Sequence, residues 1–284
     1  MISQVKALLS QFGLKAKKRL GQHFLIEKDV LDCILSAAEL SSEDIVIEVG
    51  PGLGMLTRKL AEEAAKVIAV ELDPRLVGVL RKRLSLFTNV RIVQGDILKL
   101  TPALLLEHDL RALESGRGYK VVANLPYYIT SPVLHHFLEA SWKPSLMVVM
   151  VQKEVGEAIA ATCGKMSLLS VSTQLYSRPT IIAYVPRRSF YPPPKVDSIV
   201  LRLDVYSKLP IEVSDVSGFF HTVTSGFSSP RKQLRNSLAQ GLGITSDEVA
   251  LLLEKAGIEA KRRAESLSLE EWRKVWELFE PRRK

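Results

Sequence analysis

A glycine-rich turn at the end of an apolar run is the feature that most limits the folds open to this chain. The run Ile45–Val49 leads directly into Gly50-Pro51-Gly52-Leu53-Gly54, and a helical pattern follows from Met55. Glycines at such a turn allow a tight bend and let a ligand approach the backbone with no Cβ atom in the way. Glu71 lies 21 residues after Gly50, at the end of the next apolar run. Doubly wound folds place an acceptor for ribose hydroxyls there, so the sequence predicts a nucleotide-type site.

The glycine spacing favours S-adenosylmethionine over a nicotinamide dinucleotide. The dinucleotide fingerprint is Gly-x-Gly-x-x-Gly, whereas the third glycine here comes one residue earlier and Glu48 precedes the turn. The third apolar run ends in Gly95-Asp96-Ile97, and the Asp96 carboxylate is suited to accept a hydrogen bond from an adenine amino group. The cofactor-binding residues predicted from these motifs are Gly50, Gly52, Glu71, Asp96 and Ile97.

Short β-branched runs alternate with helical patterns over the first two thirds of the chain. This alternation predicts a Rossmann-like α/β fold, a sheet whose parallel strands are joined by crossover helices. The last two predicted strands are expected to form an antiparallel pair at one edge. The predicted strands are Ile45–Val49, Val67–Glu71, Val90–Gln94, Lys120–Ala123, Leu146–Val151, Thr180–Val185 and Ser198–Asp204.

Beyond about residue 208 the pattern becomes entirely helical. Helices are predicted near 215–226, 231–240, 246–256 and 268–279. Thr245 and Ser268 are each followed three residues later by a glutamate, which is typical of an N-terminal capping box. We therefore divide the chain into an α/β domain at residues 1–207, which contains the nucleotide-type site, and a small all-helical domain at residues 208–284.

The fourth predicted strand ends in a motif suited to amine methylation, Asn124-Leu125-Pro126-Tyr127. An aromatic amine is a poor nucleophile because its lone pair is delocalised into the ring. Hydrogen bonds from its two N–H groups to the Asn124 side chain and to the Leu125 or Pro126 carbonyl would favour a pyramidal nitrogen. The Tyr127 ring can stack on a base taken out of a helix or loop. These four residues are therefore the predicted catalytic loop.

The charge distribution indicates a polyanionic partner. The net charge is +8, and residues 1–26 contribute +5 of it with no acidic side chain. No histidine or cysteine has metal-ligand spacing, so no metal is expected. Cys33 and Cys163 lie far apart, which suggests reduced core thiols in a cytoplasmic protein. No apolar run is long enough to span a membrane, and no secretory signal pattern is present.

Several segments together resemble the ribosomal RNA adenine dimethylase family, in its small-subunit (16S) branch. The resemblance extends over nearly the whole chain. Besides the motifs above, it rests on Lys18–Leu25 (KRLGQHFL), Gln152–Val155 (QKEV), Phe190–Ser198 (FYPPPKVDS) and Arg231–Leu238 (RKQLRNSL).

The resemblance implies N6,N6-dimethylation of two adjacent adenosines in a hairpin loop near the 3′ end of 16S rRNA. The enzyme would act as a monomer on a precursor small subunit. Gln22, His23, Leu25 and Asn124 would complete the cofactor pocket, and Tyr127 and Phe190 would sandwich the target adenine. The implied RNA contacts are Lys17, Lys18, Arg19, Arg231, Lys232 and Arg235.

Two departures from the family pattern affect these expectations. His23 stands where the family often has asparagine, so its hydrogen bonds depend on the tautomer. Ser229-Pro230 precedes Arg231 where an arginine and a polar residue are common. Three of the implied RNA contacts, Arg231, Lys232 and Arg235, are expected on one helix, with Arg231 and Arg235 on the same face.

Three alternatives remain open on the sequence alone. A large-subunit rRNA adenine methylase shares the fold, although the segments Phe190–Ser198 and Arg231–Leu238 argue against it. A second alternative is methylation of DNA adenine or of a protein glutamine amide. The third is a binding or assembly factor that gates small-subunit maturation, a role that could coexist with catalysis.

Overall fold

A seven-stranded sheet forms the centre of the first of two structural units. The structure is a computed structural model that describes residues 2–17, 20–109 and 118–279. Its strands are β1 (Phe24–Leu25), β2 (Ile45–Val49), β3 (Lys66–Glu71), β4 (Val90–Gln94), β5 (Lys120–Asn124), β6 (Leu146–Gln152), β7 (Ser177–Val185), β8 (Phe190–Tyr191) and β9 (Ser198–Val205).

The sheet order is β4-β3-β2-β5-β6-β9-β7. The first five strands are parallel to their neighbours, and β9 is antiparallel to β6. The predicted α/β class is confirmed, and two of the predicted strands, β2 and β4, have the predicted bounds. The two late runs become β7 and β9, which are neighbours at the edge. Strands β1 and β8 form a separate antiparallel pair.

The helices lie between and after these strands. They are α1 (Ile2–Gln11), α2 (Lys28–Ala38), α3 (Met55–Glu63), α4 (Pro74–Arg83), α5 (Pro102–Leu105), α6 (Thr130–Leu138), α7 (Lys153–Ile159), α8 (Leu168–Tyr176), α9 (Val216–Phe227), α10 (Leu234–Leu242), α11 (Ser246–Lys255) and α12 (Leu269–Phe279).

Apolar residues at helical spacing explain how α2 attaches to the sheet. Leu31, Ile34, Leu35 and Ala38 lie on one stripe, and all are buried in a cluster with residues of the central strands. Each buried leucine or isoleucine stabilises the fold by roughly 1.5–3 kcal/mol.

Helix α1 was not predicted from the sequence. Its Val5 and Leu9 are buried in a second apolar cluster with Phe24, Leu53 and Leu76. The acid-free N-terminal segment is therefore partly a packed element rather than only a charged surface.

The second unit combines Glu157–Ser177 with the chain from Tyr206 onward. The division predicted from the sequence, between residues 207 and 208, instead assigned Glu157–Ser177 to the first domain. Backbone hydrogen bonds explain this grouping: the N–H groups of Gly164 and Met166 donate to the Glu265 carbonyl, and that of Tyr206 donates to the Tyr176 carbonyl.

Three of the four predicted C-terminal helices form as α9, α11 and α12, and both predicted capping boxes are present. The remaining helix, predicted near 231–240, is α10 and begins only at Leu234. The prediction that Arg231 and Lys232 lie on the helix with Arg235 is therefore wrong. Gln233 has an extended backbone, and the Leu234 N–H donates to the Arg262 carbonyl at 2.7 Å. Both features prevent the helix from extending towards Arg231.

The expectations about cysteine burial and membrane spans have different outcomes. Cys163 is exposed and Cys33 is half-buried, so the prediction that both are core thiols is wrong; both are free. Within the described ranges, every helix is too short or too polar to span a bilayer.

Candidate active site and cofactor cavity

A cavity of about 310 Å³ opens at the carboxyl ends of β2, β3, β4 and β5. Parallel strands bring the loops that follow them to one edge of the sheet, which is where doubly wound folds bind ligands. The segment before β1 closes the cavity. The lining includes Leu20–Leu25, Glu48–Leu53, Val70–Leu72, Gly95–Leu98 and Asn124–Ile129.

The glycine turn has the backbone geometry that the sequence predicts. Gly50 and Gly52 have φ values of +68° and +60°, which side-chain-bearing residues rarely adopt. A Cβ atom at Gly52 would come within 3.2 Å of the Phe24 ring. The Gly50 N–H donates to the Val70 carbonyl at 2.9 Å, which fixes the turn against the neighbouring strand. The turn therefore presents bare backbone to the cavity.

Glu71 connects the glycine turn to the start of α4. Its carboxylate accepts hydrogen bonds from the Gly52 N–H at 3.1 Å and from the Asp73 N–H at 2.8 Å. Burial raises the pKa of this carboxyl, whereas the backbone donors oppose the rise. The predicted ribose acceptor thus lies in the cavity wall and also holds the wall together.

Glu48 is a buried carboxyl in the same wall and is only 2% exposed. Its Oε2 has no hydrogen-bond partner among the described residues. Burial, reinforced by the nearby charge of Glu71, raises the pKa of Glu48 to about 8. At neutral pH this carboxyl therefore keeps its proton, since a buried charge without a partner would be costly.

Asp96 and Ile97 close the cavity at the end of β4. The Oδ1 atom of Asp96 caps a short helical turn by accepting from the Leu98 N–H at 3.1 Å. No described residue donates to the other carboxylate oxygen, so Oδ2 is available to a ligand. Ile97 is buried and supplies an apolar lining.

The N-terminal segment is held against the cavity through Asp73. The Gln22 Nε2 donates to Asp73 at 3.3 Å, and the Lys17 ammonium lies 3.2 Å from the same carboxylate. The Arg75 guanidinium also binds it and holds the pKa of Asp73 well below its usual range. Lys17, predicted to contact RNA, is therefore engaged in an internal ion pair, while Lys18 and Arg19 lie outside the described residues.

Asn124 has its amide orientation set by the N-terminal segment. Its Nδ2 donates to the His23 carbonyl at 3.1 Å, which leaves Oδ1 without a donor among the described residues. His23 Nδ1 lies 2.7 Å from the Pro192 carbonyl, and because a carbonyl only accepts, Nδ1 carries the proton. Gln22, His23, Leu25 and Asn124 all line the cavity, as the sequence predicted.

The loop after Asn124 is anchored at both ends. The Leu125 N–H donates to the Met150 carbonyl at 3.2 Å, and the Tyr127 hydroxyl lies 2.6 Å from the Ser198 hydroxyl. The Tyr127 ring stacks on the His23 ring with centroids 5.9 Å apart. Leu125, Pro126 and Tyr127 thus join Asn124 in the lining of the cavity.

The structure does not bring Phe190 to the cavity. Its side chain is only 2% exposed and belongs to the core cluster under α2, where it pairs with Leu25 across the small sheet. Of the predicted cations in the second unit, Arg231 is exposed, Lys232 donates to Gln240, and Arg235 donates to Gln233. No group of three metal-binding side chains occurs in the part of the chain that is described.

Tyr128 is a cavity residue that the sequence analysis missed. It is 54% exposed and lines the opening. Its ring lies close to Gly21 of the N-terminal segment, because a Cβ atom at that glycine would be 3.5 Å from the ring. Burial, and then the carboxylates of Asp96 and Glu71, raise the pKa of the Tyr128 phenol. The only sequence feature that could have indicated a role for Tyr128 is its position directly after the predicted catalytic motif.

Comparisons with known proteins agree on one family. A family model described as ribosomal RNA adenine dimethylase matches residues 13–280. The ribosomal RNA small subunit methyltransferase A of Dehalococcoides mccartyi is 48% identical over 273 residues, which is 96% of this chain and 91% of that protein. The protein of the same name from Bacillus mycoides is 42% identical, over 95% of this chain and 93% of its own length.

Two solved structures share the fold over nearly their whole length. The 23S rRNA methyltransferase ErmE has a TM-score of 0.71 at 28% identity, covering 90% of this chain and 99% of its own. A dimethyladenosine transferase from Plasmodium falciparum has a TM-score of 0.76 at 26% identity, covering 91% of this chain and 98% of its own.

The burial of Glu48 predicts a pH-dependent stability. Between its unfolded pKa of 4.5 and its folded pKa of about 8, the folded protein keeps a proton that the unfolded chain has lost. Glu48 should therefore lower the free energy of unfolding by about 1.4 kcal/mol for each pH unit across this window. Urea unfolding of the wild type and Glu48→Gln at pH 5 and pH 8 measures the difference. The wild type should lose more stability than the variant as the pH rises, and parallel pH profiles would contradict the assignment.

Proposed function

This chain belongs to the ribosomal RNA adenine dimethylase family, and from that membership we propose that it transfers methyl groups from S-adenosylmethionine to N6 of two adjacent adenosines. The adenosines would lie in a hairpin loop near the 3′ end of 16S rRNA. The observation that carries the proposal is the position of Asn124, whose free Oδ1 belongs to the wall of a cavity suited to an adenosine-containing cofactor.

The cavity residues fit this cofactor by their chemistry. The bare backbone of the glycine turn permits close approach, and Glu71 offers carboxylate oxygens to ribose hydroxyls. The free Oδ2 of Asp96 can accept from an adenine amino group. When bound, S-adenosylmethionine supplies a methyl group that its sulfonium charge has already activated.

Asn124 and the following loop would orient the target amine. The Asn124 Oδ1 accepts from one N–H group of the amine, and a backbone carbonyl accepts from the other. The Pro126 carbonyl already accepts from the Ile129 N–H at 3.1 Å, which favours the Leu125 carbonyl as the second acceptor. Two such acceptors favour a pyramidal nitrogen whose lone pair is available for methyl transfer.

Tyr127 would hold the base. Its hydroxyl is tied to Ser198 and one side of its ring faces His23, so the ring is preorganised for stacking. Phe190 would have to leave the apolar core to contact the same base, and we therefore assign the stacking contact to Tyr127 alone.

The small subunit is the favoured substrate. The fold is shared with a 23S rRNA methyltransferase, so the fold does not discriminate between the subunits. The relatives of 42–48% identity are named for the small subunit, which supports 16S rRNA. The proposal includes a precursor small subunit as the substrate particle, a monomeric enzyme and a cytoplasmic location. DNA adenine, a protein amide and a purely assembly-related role are the alternatives that the assay below separates.

Asn124→Ala tests the catalytic assignment. The variant loses the acceptor for the amine, so methyl transfer should fall by at least about 100-fold. The measurement is transfer of labelled methyl groups onto unmethylated small subunits, followed by nucleoside analysis for N6,N6-dimethyladenosine. Large subunits and duplex DNA serve as control substrates. Full activity of Asn124→Ala, or label on a control substrate instead, would overturn the proposal. Loss of transfer with normal precursor maturation would show that an assembly role is separable.

Tyr128→Ala tests whether the exposed ring covers the cofactor. Loss of the ring should weaken binding of S-adenosylhomocysteine by about tenfold. Tyr128→Phe is the matched control, since it keeps the ring beside Gly21 and should bind nearly as well as the wild type. Isothermal titration calorimetry measures both affinities. Equal affinity of Tyr128→Ala and the wild type would show that the ring has no part in cofactor binding.

A further inference from the structure

The segment Gln152–Val155 carries part of the family resemblance but does not line the cofactor cavity. Lys153 directly follows β6, whose carboxyl end lies at the same sheet edge as that of β5 because the two strands are parallel. The Lys153 N–H donates to the Asp197 carbonyl at 3.0 Å, and the next residue, Ser198, contacts the Tyr127 hydroxyl. Lys153 therefore lies beside the anchor of the catalytic loop.

An exposed tyrosine lies against Lys153. Tyr184 is on the edge strand β7 and is 59% exposed. The Lys153 ammonium is 5.7 Å from the centre of its ring. Even with this cation in place, more than half of the tyrosine surface is accessible. Arg178, Thr180 and Ile182 alternate with buried or half-buried positions on the same exposed side of β7.

Three more cations lie on the chain segment that follows β7. The segments 153–154 and 187–197 contain four basic and two acidic side chains, and we call the basic ones together with Tyr184 the edge platform. Among the described residues, no acidic side chain forms an ion pair with Arg187, Arg188 or Lys195, all of which are exposed. The acidic side chain of Asp197 accepts a hydrogen bond from the Arg187 backbone N–H at 2.8 Å, which offsets part of its charge. The edge platform consists of Lys153, Tyr184, Arg187, Arg188 and Lys195.

We propose that the edge platform binds the RNA strand next to the target adenosine, with one base stacked on Tyr184 and the backbone phosphates near the four cations. An accessible aromatic ring with cations on it and on the neighbouring segments is the combination by which proteins hold single-stranded nucleic acid. Contacts through Ser198 and Asp197 link the platform to Tyr127, so a strand whose base enters at Asn124 would pass over it. The inference rests on the proposed function for the location of the target base.

Two variants separate stacking from charge. Tyr184→Ala should weaken binding of a synthetic RNA hairpin, with two adjacent adenosines in its loop, by about tenfold, whereas Tyr184→Phe should bind like the wild type. Lys153→Met should lower the slope of log affinity against log salt concentration by about 0.7–0.9. Lys59→Met on α3 is the control: it removes a half-buried cation that pairs with Glu62, away from the platform. Fluorescence anisotropy at several salt concentrations measures all four.

The outcomes distinguish the platform from the cofactor site. S-adenosylhomocysteine should bind Tyr184→Ala and Lys153→Met as it binds the wild type. RNA affinities and salt slopes equal to those of Lys59→Met would overturn the inference. Weaker binding to whole small subunits without weaker binding to the hairpin would indicate a protein partner and would also overturn it. If the wild type fails to bind S-adenosylhomocysteine but the RNA losses occur, the proposed function is wrong while the platform stands.

Discussion

The carboxylates of Glu71 and Asp73 hold together the chain segments that form the cavity. Glu71 accepts from the backbone of the glycine turn and from that of Asp73. Asp73 in turn binds Lys17, Gln22 and Arg75, which attaches the N-terminal segment to the start of α4. Each carboxylate is buried, so the loss of its donors would leave a desolvated charge without partners. The shape of the cofactor site therefore depends on these few hydrogen bonds.

A second set of contacts joins the segment that closes the cavity to the loop that follows β5. Asn124 donates to the His23 carbonyl, and the two rings of His23 and Tyr127 stack. The segment that closes the cofactor cavity is thus in contact with the loop that would orient the target amine. The Asn124 amide nitrogen thus contacts the N-terminal segment, whereas the amide oxygen has no donor among the described residues and would be open to the proposed substrate. A single polar side chain can therefore contribute to both the pocket and the reaction.

The sequence predicted the sheet and most of the site because both follow local rules. Buried parallel strands read as β-branched runs, and the loops after them share one edge. Tertiary contacts decided the rest. Helix α1 was overlooked beside the basic charges, although Val5, Leu8, Leu9 and Phe12 have helical spacing. The burial of Phe190, the ion pair of Lys17 and the late start of α10 depend on partners distant in the chain, which no local pattern shows.

The cavity at the carboxyl edge of the sheet is the proposed binding site for the methyl donor. A crystal structure of the complex with S-adenosylhomocysteine tests it most directly. We expect the ribose hydroxyls within hydrogen-bond distance of Glu71, the adenine amino group at Asp96, and the sulfur facing the Asn124 side chain. A ligand bound elsewhere, or the Asn124 amide and Tyr127 ring turned away from the sulfur, would contradict the account.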